Sequence, residues 1–68
     1  MISYEDAQEM VRLLDDNQQK ANTCRTCIGL LPDGGNIEWM KNNILSRLHD
    51  MEVNIAAIRQ LYSTAVEE

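Results

Sequence analysis

Apolar residues recur at steps of three and four through the second half of the chain: Ile44, Leu48, Met51, Ile55, Ile58, Tyr62 and Ala65. Steps of that size place side chains on one stripe of an α-helix. Ser46, Arg47, Asp50, Glu52, Asn54, Arg59 and Gln60 fill most of the gaps. That is the pattern of a helix whose stripe meets another helix. The first half carries a weaker version: Ala7, Met10, Leu14, Ala21 and Ile28, with Val11 beside them and Cys24 at the edge. Its middle is polar, because Asn17 and Gln18 stand there. Asp16 and Lys20, four residues apart, support the helix at that point.

Punctuation separates the two halves. Ser3 is a good N-cap, and Glu5 and Asp6 suit the positive first turn. Gly29 is the expected left-handed residue after the first helix, with Leu30 packing back on its last turn. Leu31 precedes Pro32, which biases it away from the helical region. Pro32-Asp33-Gly34-Gly35-Asn36 is the strongest turn signal. Asn36, or else Asp33, caps the second helix, and Glu38 sits in its first turn. The reading is an all-α fold: one antiparallel two-helix hairpin domain over about residues 4–28 and 37–65.

A two-helix hairpin covers each stripe on one side only, so the remaining apolar surface needs a further partner. A twofold homodimer forming a four-helix bundle is the economical solution. Met10, Leu14, Ala21, Ile28, Ile44, Leu48, Met51, Ile55, Ile58 and Tyr62 are the expected core and dimer seam. Asn17 would place a polar layer at its centre and fix register.

Composition supports helices and limits the partners. The 68 residues include no Phe, one Trp and one Pro, so aliphatic residues and Met must supply the core. Eleven acids and six bases give a net charge of −5, spread evenly over both halves. No basic stripe stands ready to neutralise phosphates, which argues against nucleic acid and against an anionic lipid surface. An acidic start without an apolar run predicts no signal peptide, and no stretch is long enough to cross a membrane. The expected location is the cytoplasm.

The candidate chemistry is thin. Cys24-Arg25-Thr26-Cys27 is a CxxC, but it lacks the second pair that zinc needs and lies at a helix C-terminus, where the dipole raises thiol pKa values. His49 lies away from the stripe with no nucleophile beside it. Asp15 and Asp16 point about 100° apart and do not converge on a metal. No catalytic residue, metal or cofactor is expected. One anomaly remains: Trp39, Val53 and Ala57 project to the back of the second helix, with Asp50 near them. An aromatic outside the stripe can anchor a partner, or Trp39 can plug the loop end against Leu30, Leu31 and Pro32.

In length, capped hairpin, stripes and acidity the layout resembles the plasmid copy-number RNA-binding hairpins. That resemblance implies RNA contact through helix 1, where Gln18, Lys20 and Arg25 stand. It is also similar in size to the sporulation-type aspartyl-phosphatase hairpins. Their Ser-Gln-x-x-Asp signature is missing, since Ser46-Arg47-Leu48-His49-Asp50 matches only its ends. Small secretion-system hairpin chaperones and phage proteins that capture host regulators share the general plan. No motif assigns the chain to any of these. The expected function is a protein-binding regulator or adaptor, not an enzyme, acting by steric capture of a partner such as a transcription regulator. Trp39, Asp50, Val53 and Ala57 form the candidate partner face. The alternatives are an RNA- or DNA-binding bundle and a secretion chaperone.

Overall fold

A computed structural model describes the backbone over residues 2–34 and 37–67, and the side chains at all of these except 37 and 67. Helix α1 spans Tyr4–Leu30, a 3-10 turn spans Leu31–Asp33, and helix α2 spans Ile37–Glu67. The two helices form a hairpin 51 Å long and 14 by 13 Å across. The described residues contain no strand, and no described helix is long and apolar enough to cross a membrane.

The start of α1 follows from its cap. The Asp6 N–H donates to Ser3 Oγ at 3.1 Å, and the Ala7 N–H donates to the Ser3 carbonyl at 3.0 Å. The first bond satisfies one of the orphan N–H groups of the first turn, and the second opens the helix ladder. The end of α1 departs from expectation. Gly29 does not terminate it, and Leu31 is itself helical at φ −58° and ψ −43° although proline follows. Packing overrides the local bias, because Leu31 lies on the row that faces α2. Gly29 points outward, where an added Cβ would meet nothing within 4 Å. Leu30 remains exposed. Pro32 then breaks the ladder, since it has no N–H to give. Gly34 makes the left-handed exit at φ 85° and donates to the Leu31 carbonyl at 3.2 Å. The expected Asn36 cap lies outside the described residues.

Each helix turns a strictly spaced row toward the other. On α1 and the turn it runs Met10, Leu13, Asn17, Lys20, Cys24, Cys27, Leu31. On α2 it runs Met40, Ile44, Arg47, Met51, Asn54, Ile58, Leu61, Ala65. Steps of three and four alternate throughout both, the spacing of a coiled-coil seam. Every member is buried or half-buried. Met10, Leu13, Cys24, Ile44 and Ala65 are the buried apolar residues, and Asn17 is the buried polar one.

The expected single stripe is in fact two. Of its ten residues, Met10, Ile44, Met51 and Ile58 belong to the facing rows. Leu14, Ala21, Ile28, Leu48, Ile55 and Tyr62 are exposed in the hairpin and stand one position further round. The residue that fills the α1 seam beside Met10 is Leu13, 7% exposed, and not Leu14, 54% exposed.

Candidate functional site

The facing rows divide the hairpin into two long sides of opposite character. One residue after each facing position lies a second row, rotated by about 100°. On α1 it reads Tyr4, Ala7, Val11, Leu14, Gln18, Ala21, Arg25, Ile28. On α2 it reads Lys41, Leu45, Leu48, Glu52, Ile55, Arg59, Tyr62, Val66. Because the helices run in opposite directions, a step of one residue turns both rows toward the same side. Ile28, Leu31, Lys41, Ile44 and Leu45 accordingly share one apolar groove between the helices. One residue before each facing position lies the opposite side. There α1 offers Glu9, Arg12, Asp16, Gln19, Thr23 and Thr26, and α2 offers Trp39, Asn43, Ser46, Asp50, Val53 and Ala57. A polar groove of about 390 Å³ runs along it, lined by Asp16, Gln19, Lys20, Thr23, Ser46, Arg47 and Asp50.

All four residues of the expected partner face thus fall in one row of α2, on the polar side. Trp39 is 59% exposed, Val53 is 54% exposed, Asp50 is exposed and Ala57 half-buried. Asp50 lines the groove, while Trp39, Val53 and Ala57 share its row on α2 without lining the groove.

A polar network joins the helices at mid-length. Asn54 Nδ2 donates to Asn17 Oδ1 and to Asp16 Oδ2, both at 2.8 Å. Asn17 Nδ2 donates to the Met51 carbonyl at 3.4 Å, and Lys20 Nζ donates to Asp16 Oδ2 at 2.6 Å. Both protons of the Asn54 amide are therefore used. No buried side-chain nitrogen or oxygen is left without a partner among the described residues. The polar centre expected of Asn17 is present, and it acts within one chain. What the sequence reading missed is its partner Asn54, which had been placed among the gap-fillers.

Hydrogen bonding from Lys20, and after it from Asn54, holds the Asp16 carboxyl below the usual carboxylate range. A lowered folded-state pKa means that ionised Asp16 favours the folded state. That contribution is complete above about pH 4, the unfolded value, and disappears as pH falls through the lower folded value. Asp16→Asn should therefore lower the melting temperature at pH 7, with the gap to the unsubstituted chain narrowing toward pH 2. The carboxylate is partly exposed, so the effect is small. Thermal melts of both chains across this range check it; a gap that persists unchanged at pH 2 would contradict it.

Other candidate groups are placed apart. Cys24 is buried, with its thiol 4.0 Å from the Ile44 carbonyl, and Cys27 is half-buried; both are free thiols. His49 and Asp15 are exposed. No group of three His, Cys, Asp or Glu side chains that could hold a metal occurs among the described residues. Of the residues an RNA-binding α1 would use, Lys20 is turned into the seam and paired with Asp16, and Gln18 and Arg25 stand in the apolar row. Comparison with known proteins gives no match: no family model, no curated protein and no solved structure corresponds to the chain.

Proposed function

We propose that this protein is a small protein-binding regulator or adaptor that works by steric capture, through contact and not through chemistry. The observation that carries the reading is the single α2 row Trp39, Asp50, Val53 and Ala57, of which Asp50 lines the polar groove. It combines an exposed aromatic and an exposed aliphatic side chain with charges of both signs, since Asp16, Lys20, Arg47 and Asp50 line the groove. Large aromatics with a polar surround are the usual make-up of an energetic interface centre. A partner segment with an apolar ridge flanked by both charge signs fits such a strip. Masking that segment would be the regulatory event, and a transcription regulator is one partner class this mechanism suits. The expected setting is the cytoplasm.

The test is affinity purification of the tagged chain from its source, read by mass spectrometry and by nucleic-acid staining. A protein recovered in stoichiometric amount with the unsubstituted chain, and lost with Val53→Glu, supports the reading. Recovery of RNA without protein refutes it.

A further inference from the structure

We infer that the apolar side of the hairpin closes on a second copy of this chain, forming a twofold four-helix bundle with both polar sides turned outward. The patterning comes first. Each helix carries two apolar rows about 100° apart, the arrangement of a helix with two helical neighbours. The hairpin supplies one neighbour, and the second rows of both helices lie on one side, as the shared groove of Ile28, Ile44 and Leu45 attests. A single interface can therefore cover both second rows, and twofold symmetry gives every helix its missing neighbour.

Area and stability point the same way. Leu14, Ile28, Leu45, Leu48, Ile55 and Tyr62 are each 40–55% exposed. With Val11 and Val66, 56% and 61% exposed, they give each chain an apolar side of the size class, roughly 800 Å² per partner, that a standard stable interface buries. The hairpin's own core is thin, with no described side chain completely buried. A chain of this size gains much from closing a second layer. The charged members of the rows, Arg25, Lys41, Glu52 and Arg59, are long enough to lay their stems along the apolar surface and keep their heads in water.

Three residues of equal exposure provide the test: Leu14 at 54% and Leu45 at 53% on the apolar side, and Val53 at 54% on the polar side. Each is replaced by Glu, and mass is measured by sedimentation equilibrium from about 1 to 500 µM, with helicity by circular dichroism. The unsubstituted chain and Val53→Glu should sediment as two chains of 7.8 kDa. Leu14→Glu and Leu45→Glu should dissociate at least a hundredfold more easily, which corresponds to about 2.7 kcal/mol. Leu14→Ala, which introduces no charge, should shift dissociation in the same direction by about tenfold. A folded monomer throughout, a mass of three or more chains, or equal weakening by Val53→Glu would overturn the inference. The outcome is independent of partner capture: Val53→Glu should lose a captured protein and keep the mass of two chains, so the two proposals can fail separately.

Discussion

Leu13→Ala is expected to unfold most of the protein at 25 °C, while Leu14→Ala, one residue along, leaves a folded hairpin. The two leucines have the same chemistry and the same helix. They differ in direction: Leu13 is 7% exposed in the seam and Leu14 is 54% exposed beside it. Removing a buried leucine costs about 2–5 kcal/mol, the spread reflecting how far the site collapses. A domain of this length rarely holds more than about 3–5 kcal/mol in its core. The seam has little spare, because its central layer is Asn17 and Asn54 and its flanks include Lys20 and Arg47. Thermal melts followed at 222 nm check the contrast. Leu13→Ala should lose most of its helix signal at low micromolar concentration, while Leu14→Ala keeps its helix signal there and melts at a lower temperature than the unsubstituted chain. Equal losses for the two would show that the seam is not where Leu13 places it.

The second large effect concerns the buried amides. Asn54→Ala should destabilise the chain by about 1–3 kcal/mol, because Asn17 keeps its place at 9% exposure and loses the donor to its Oδ1. Asn17→Ala removes the other half of the pair and should cost a similar amount. Asn17→Leu with Asn54→Leu is expected to behave differently. Replacing both partners by apolar residues leaves no orphan group, so stability returns to the unsubstituted level or above it. What the double variant loses is register, since any leucine layer can slide by one turn where an amide pair cannot. A double-mutant cycle of the two alanine substitutions by urea denaturation, with sedimentation of the double leucine variant, reads both properties. The expected result is a coupling of about 1 kcal/mol or more and a mixture of masses for the double leucine variant. Additive single effects and one sharp species would contradict the role given to the pair.

The hairpin was legible because its signals are local. Ser3 caps α1 where expected, and the break at residues 32–34 reads directly from Pro32 and Gly34. The exact end of α1 was not legible, because Gly29 is a valid stop signal and only the facing row, which recruits Leu31, overrules it. The seam was half legible for a related reason. Ile44, Met51, Ile58 and Ala65 alternate with Leu48, Ile55 and Tyr62 at steps of three and four, so two rows about 100° apart read as one stripe. The polar members decide between them. Asn17, Lys20, Arg47 and Asn54 occupy facing positions, and any scan that rewards only apolar residues passes over them. A strict alternation of three and four from Met10 picks up Leu13, Asn17, Lys20, Cys24 and Cys27 in turn, and that signal was present in the sequence.

Trp39, Asp50, Val53 and Ala57 were legible as a row because helical spacing alone puts them together. The groove that Asp50 lines was not, because it depends on which face of α1 is polar. The same split separates two tasks along one narrow molecule. The apolar side is assigned to a second copy and the polar side to a partner, so binding one need not displace the other.

The central claim is that the apolar side is covered in the native protein. Solvent paramagnetic relaxation of methyl groups in the purified, unsubstituted chain tests it most directly. The side chains of Leu14, Ile28, Leu45, Leu48 and Ile55 should be shielded to the level of buried Ile44, while Val53 relaxes as a fully exposed group. Relaxation of Leu14 and Leu45 equal to that of Val53, their match in exposure within the isolated hairpin, would contradict it.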